Sequence, residues 1–232
     1  MRSVPRWALL SSGCAPLLLA GGWAVAALLE GPAYDPATDT ISVLAAHGAA
    51  GSWVMTGAFL ALGVCHLLTA WGLRPAARAG RLALAGGGIA ALGVALVPAP
   101  SSGGSLNHGA VVVVGFTLLA VWPVLAAVRG GGPWGLRLRP SVTVTAVMAL
   151  GAVWFLVEMN RQGAAGVAER LVTCLQSTWP LVVVASCLRF GASRPVPGGE
   201  DRRGRGGDEE GGSGGTGRGD GSPAPPRRPP GG

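Results

Sequence analysis

The side chains here that could do acid–base or metal chemistry are few, and most fall at the edges of long apolar blocks. There are three histidines and eleven carboxylates, six of the latter beyond residue 190. What remains is one candidate polar cluster: Asp35, Asp39, His108, Glu158, Glu169 and Arg170, with His47 close to it in sequence. Carboxylates beside histidines can ligate zinc or relay protons. The chain has neither an HxxxH nor an HExxH spacing, however, and its cysteines, Cys14, Cys65, Cys174 and Cys187, form no CxxC pair. A Ser-His-Asp order, a phosphate loop and a nucleotide fingerprint are also missing. The sequence therefore nominates no catalytic set, no metal and no cofactor, and leans away from an enzyme. The plain expectation is structural: Glu158 or Glu169 pairs with an arginine and locks loops together.

Two more polar groups lie inside apolar segments, where each costs free energy unless satisfied. His66 comes thirteen residues after Trp53, about 20 Å along a helix, whereas His108 opens its own segment, so the two cannot share an ion. His66 is expected to donate to a neighbouring carbonyl or to point toward the inner headgroups, with a proton relay as the alternative. Gln176 precedes Ser177, Thr178, Trp179 and Pro180. Pro180 frees the carbonyl four residues back, and the hydroxyls or the Gln176 amide are expected to re-satisfy it in a kink packed inside the bundle; a substrate-lining break is the alternative.

Six apolar segments position these groups. The chain is 49% hydrophobic and 12% charged, roughly half the charge of an average soluble domain. Spans are read at residues 7–29, 53–73, 82–97, 109–128, 141–157 and 171–188, against the roughly 20 residues a bilayer core requires. The predicted fold class is all-α: an integral membrane six-helix bundle over residues 1–190, with a disordered C-terminal tail over 191–232 where Gly, Pro, Arg and acids replace apolar side chains. The first segment holds 23 residues, longer than a signal-peptide core of about 7–15, and is expected to stay as a helix. All 18 basic residues are arginine; with abundant Ala, Gly and Pro, that bias suggests a bacterium with a GC-rich genome.

Charge sorts along the topology. Arg2, Arg6, Arg74, Arg78, Arg81, Arg129, Arg137 and Arg139 share one set of segment ends with no acid among them. The opposite loops hold Glu30, Asp35, Asp39, Glu158 and Glu169 with Arg161 and Arg170. By the positive-inside rule both termini are cytoplasmic and the polar cluster faces outward from a bacterial plasma membrane. The net charge of +7 then reflects topology rather than a basic face, so the lipid bilayer is the expected partner and nucleic acid is not. Protein partners and oligomeric state do not follow from the sequence.

Three local expectations complete the reading. Thr38-Asp39-Thr40 should cap a short helix along the outer interface, with Ile41, Val43, Leu44 and Ala45 as its apolar side. The third span, of sixteen residues, should stand steeply with Arg81 snorkelling. Its Gly86, Gly87, Gly88 and Gly93 predict a central, tightly packed helix.

Tyr34-Asp35-Pro36 followed by Thr40-Ile41-Ser42 and Leu44, then Trp53-Val54-Met55 with Gly57, Phe59 and Gly63, resembles a six-span prokaryotic membrane family, domain of unknown function 998 (DUF998). Ser105-Leu106-Asn107-His108, and Gly166-Val167-Ala168-Glu169-Arg170 followed by Trp179-Pro180, are similar as well. The resemblance spans about residues 7–190 and implies a six-helix membrane fold without supplying an activity. The position after Ser42, often acidic in that family, is Val43 here. The function expected is binding of a lipid or a partner at the extracytoplasmic face. The alternatives are a small-solute transporter and a membrane enzyme acting on lipid or envelope substrates.

Overall fold

Helix length follows directly from the apolar blocks. The computed structural model describes residues 3–100 and 105–193; the tail predicted over 191–232 lies, from residue 194 onward, outside the described residues. Six helices are long and apolar enough to cross a membrane: α1 (Trp7–Glu30), α3 (Ser52–Gly72), α4 (Arg78–Leu96), α5 (Leu106–Ala126), α6 (Leu138–Arg161) and α7 (Ala165–Ala192). The four-residue α2 (Ile41–Leu44) lies between the first two. The described residues contain no strand. The shortest span, 19 residues, is about 29 Å long and matches the hydrocarbon thickness. Pro16, Pro123 and Pro180 lie within helices that continue through them.

The outward faces are unlike those of a water-soluble bundle. Leu28, Leu82 and Leu96 are 82%, 73% and 77% exposed, and such a coat of large apolar side chains has lipid as its matching solvent. The chain is thus a multi-pass membrane protein. Each span packs on the one before and the one after it, and α7 returns to α1, so the six close into a ring in sequence order.

Lipid tails are as apolar as leucine, so close packing and hydrogen bonds, not water exclusion, hold such a ring together. The α4 glycines serve that packing as expected. A Cβ on Gly88 would lie 2.8 Å from the Gly63 carbonyl oxygen, and one on Gly63 would lie 2.7 Å from that of Gly88. The α3 and α4 backbones therefore touch where neither residue has a side chain.

The arginine-rich end is tied by main-chain bonds. Ala77 N–H donates to Ala126 O (3.2 Å) and Val128 N–H to Leu136 O (2.9 Å), while Gly135 N–H donates to Ser186 Oγ (3.1 Å). Arg81 corrects an expectation. The third span begins at Arg78, not Leu82, so Arg81 sits one turn inside it. Its Nε donates to Ala70 O (2.8 Å) and its Nη2 to Trp71 O (3.1 Å), satisfying carbonyls at the end of α3 that no helical N–H can reach.

Candidate functional site

The opposite, acid-bearing end is assembled by one helix reaching over to a loop. The sixth span begins at Ala165 rather than Leu171, because nothing in Ala165–Arg170 breaks a helix; Glu169 and Arg170 accordingly lie inside α7 instead of in a loop before it. Arg170 Nη1 donates to the carbonyls of Pro36 (2.8 Å), Asp39 (3.1 Å) and Gly166 (2.8 Å), and Nη2 donates to the Tyr34 hydroxyl. The guanidinium also lies over two rings, with its carbon 5.8 Å from the Trp23 centroid and 5.7 Å from that of Tyr34, a cation–π arrangement. Tyr34 in turn donates to Asp39 O (3.2 Å) and Thr40 O (3.3 Å). It must stay protonated to do so. Burial pushes the phenol above its usual range, against the opposing pull of Arg170.

Glu169 is 4% exposed and accepts the Ile41 N–H on Oε2 at 2.5 Å. That amide opens α2, so the cap predicted from Thr38-Asp39-Thr40 comes instead from a carboxylate 128 residues away; Thr40 makes no side-chain cap. Of the four residues expected on its apolar side, Ala45 is 3% exposed. Ile41 and Leu44 are 1% and 0% exposed, turned into the bundle, and Val43 is its outward residue. Gly166 makes the close approach possible. A Cβ there would fall 2.3 Å from Asp39 O and 2.6 Å from Pro36 O.

The remaining acids also serve backbone amides. Asp39 Oδ2 accepts from Asp35 N–H and Asp35 Oδ1 from Ala37 N–H, both at 2.9 Å, which folds the 35–39 turn on itself. Glu30 Oε2 accepts from Ala50 N–H (2.8 Å), closing the base of the same loop. Glu158 belongs to the last turn of α6, since that span runs to Arg161 rather than ending at Val157. It accepts from Ala164 N–H (2.8 Å) and from Trp154 Nε1 (3.2 Å). The expected loop-locking is present, with amides as the partners of Glu158 and Glu169 where arginines were expected. A carboxylate gains more from an N–H otherwise left without a partner than from an exposed charge pair.

His108, the third residue of α5, is held by Nδ1 to Val97 O (2.8 Å), and its own N–H is capped by Ser105 Oγ (3.3 Å). Together with Glu169 it lines a groove of about 630 Å³ between α5 and α6. Thr40, Ser42 and Ser105 join these two at the acid-bearing end. Farther along the walls are apolar, Val113, Val121, Ala149 and Ala152 among them, with Thr117 the one hydroxyl. Val113, Thr117, Ala149 and Leu156 are exposed, so the groove opens through the side of the bundle.

Both intramembrane polar groups depart from expectation. His66 is 1% exposed, and neither ring nitrogen meets a hydrogen-bond partner, so the expected bond to a carbonyl is not made. It borders a small cavity of about 70 Å³ that Glu169, Gln176 and Ser177 also line. Gln176 does not repair the carbonyl freed by Pro180. Its Nε2 donates across to Phe116 O in α5 (3.0 Å), where it ties two spans together.

The site thus joins Glu169 and Arg170 to the 34–41 loop and brings Glu169 and His108 to one groove. It leaves Glu158 in its own turn and the Asp35 and Asp39 carboxylates in theirs. Among the described residues no three His, Cys, Asp or Glu side chains are grouped to hold a metal. Trp23, Tyr34 and Ser105 escaped the residue-by-residue reading as site members. Tyr34 and Ser105 carried a signal only as members of the motifs shared with the family; Trp23 lies in another span and carried none.

The chain has no match among curated proteins or among solved structures. The family described as protein of unknown function (DUF998) matches residues 13–186, which takes in the four middle spans whole, most of α1 and α7, and the loop that Arg170 clasps. The chain belongs to the DUF998 family.

Proposed function

We propose that this protein binds a membrane amphiphile in the α5–α6 groove, chain along the apolar walls and polar end beside Glu169, His108 and Ser42. The carrying observation is the groove's distribution of polarity: about 630 Å³ open through the side of a membrane-spanning bundle, with nearly all its polar side chains at one end. A lipid in a bilayer has the same distribution, and it approaches from the side on which the groove opens. The arginine count argues for the acid-bearing end being extracytoplasmic and both termini cytoplasmic, in a bacterial plasma membrane with residues 1–190 as the membrane domain. The protein is then a receptor or carrier for the outer leaflet. Among the described residues of the site no hydroxyl or thiol is paired with a base: His108 Nδ1 meets Val97 O and Ser105 Oγ meets the His108 N–H, which favours binding over turnover.

Photocrosslinking tests this. A benzophenone amino acid at Ala152, inside the groove, should capture one lipid class enriched several-fold over the host membrane. The same group at Leu150, 70% exposed on the outside of α6, should capture lipids in membrane proportion. Identical capture profiles at the two positions would overturn the proposal.

A further inference from the structure

The polar end of the α5–α6 groove carries a carboxylate and no fixed cation. Glu169 is buried and spends Oε2 on the Ile41 N–H. Its Oε1 meets no donor among the described residues, yet it is not sealed in as the side-chain nitrogens of His66, Trp122 and Trp179 are. The small cavity behind Glu169 is almost wholly apolar, so the groove, which Glu169 also lines, is where that oxygen is reached. No arginine or lysine lines the groove. Arg170, next in sequence, turns its guanidinium onto the 34–41 loop and the Trp23 ring. Residues 82–128, which supply α5 and the loop before it, contain neither arginine nor lysine.

A carboxylate taken out of water is costly unless a positive charge and hydrogen-bond donors meet it. Within a membrane-spanning bundle such a group pairs with another side chain or marks the place of a ligand. The other groups at this end add acceptors. His108 Nδ1 lies 2.8 Å from Val97 O, which can only accept, so Nδ1 carries the proton and Nε2 is left with a lone pair on a residue that lines the groove. Thr40, Ser42 and Ser105 bring hydroxyls to the same end.

A hydroxyl in the occupant would satisfy these acceptors and leave the charge unanswered. A quaternary ammonium would answer the charge but has no N–H to donate. A primary ammonium does both, with one positive charge and three donors, enough for Glu169 Oε1, His108 Nε2 and one hydroxyl. The walls beyond, Val113, Val121, Ala149 and Ala152 among them, are apolar, so the amine that fits is the end of an amphiphile and not a free solute.

We infer that the groove selects amphiphiles whose head ends in a primary ammonium, with Glu169 as its counter-ion and His108 Nε2 as a second acceptor. This rests on the groove being the site of lipid binding. It adds the class of head, and it excludes heads whose amine is methylated.

The test uses two photoactivatable phospholipids that differ only at the amine, one with an ethanolamine and one with a choline head, each with a diazirine in the acyl chain. They are placed at equal mole fraction in phosphatidylcholine nanodiscs holding the full chain. The ethanolamine probe should label α5 and α6 peptides about tenfold more than the choline probe, the ratio one charge-assisted hydrogen bond supplies. Glu169→Gln keeps an oxygen for the Ile41 N–H and loses the charge, and should bring that ratio close to one. His108→Ala, at a half-buried position near the start of α5, should lower it several-fold. Free ethanolamine in millimolar excess should leave the labelling unchanged. Equal labelling of α5 and α6 by the two probes in the wild type, a ratio that survives either substitution in a folded protein, or displacement by free ethanolamine overturns the amine-headed lipid and leaves the groove standing. Labelling that ignores α5 and α6 overturns the groove and its head selectivity together.

Discussion

Arg170→Ala is expected to lower the stability of the purified protein by about 3 kcal/mol and to release the loop between α1 and α3. One side chain links α7 to that loop through the carbonyls of Pro36 and Asp39 and the hydroxyl of Tyr34, and to α1 through the Trp23 ring. Hydrogen bonds from a charged donor contribute about 1.5–3 kcal/mol each and a cation–π contact about 1. Their sum exceeds 3, but Pro36 is exposed and Asp39 only half-buried, and water takes over part of what the guanidinium gives them. Thermal unfolding in detergent measures the loss. Limited proteolysis within residues 34–41 should become fast at temperatures where the wild type is resistant. Arg170→Lys should recover little, because an ammonium lacks the flat fork that meets several acceptors and stacks on rings. An unchanged melting temperature in Arg170→Ala would show that the loop is held by the Glu169–Ile41 and Val167–Ala37 bonds alone.

The largest effect is expected at the α3–α4 contact. Gly63→Leu should cost more than about 3 kcal/mol or abolish folding, whereas Gly57→Leu on the same helix should stay within about 0.5 kcal/mol. Around Gly57 nothing lies within 4 Å of an added Cβ, but at Gly63 that atom meets the Gly88 carbonyl oxygen and the Leu92 side chain. Leu92 can rotate away; the Gly88 carbonyl is part of a helix and moves only if α4 moves. Insertions of this kind typically cost 1–3 kcal/mol in a close-packed interior where side chains can adjust, and more where backbone opposes backbone. The two substitutions change helix propensity and apolar character equally, so the difference between them isolates the contact. Comparable stability for both variants would contradict the packing.

Much of this architecture was legible in the sequence, and the reason is physical. A bilayer imposes one length and one polarity on every span, so apolar blocks announced all six helices and the arginines their shared end. Helix ends were less legible. Hydropathy falls before a helix stops, and Arg81, Glu158, Glu169 and Arg170 were therefore placed in loops although the backbone remains helical through each of them. What these side chains bind was least legible, because every partner comes from a distant segment. Glu169 caps Ile41, Arg170 rests on Trp23, and Gln176 reaches Phe116. No periodicity within one helix encodes such a pairing. Gly166 was visible as part of a motif, but its purpose, to let the Pro36 and Asp39 carbonyls come down on α7, depends on a loop 130 residues upstream that no local pattern names.

The polarity of the groove is what ties these contacts to function. Glu169 holds α2 at the polar end of the groove, and α2 contributes Ser42 and Val43 to the lining, so the clasp and the binding site are one assembly. Native mass spectrometry of protein extracted in mild detergent, wild type against Ala152→Trp, decides whether the groove holds a lipid. The wild type should carry one lipid of defined mass through delipidation, and Ala152→Trp, whose indole fills the groove from α6, should lose it with its melting temperature otherwise intact. Retention of the same lipid by both proteins, or a wild type that emerges with none, would contradict the account.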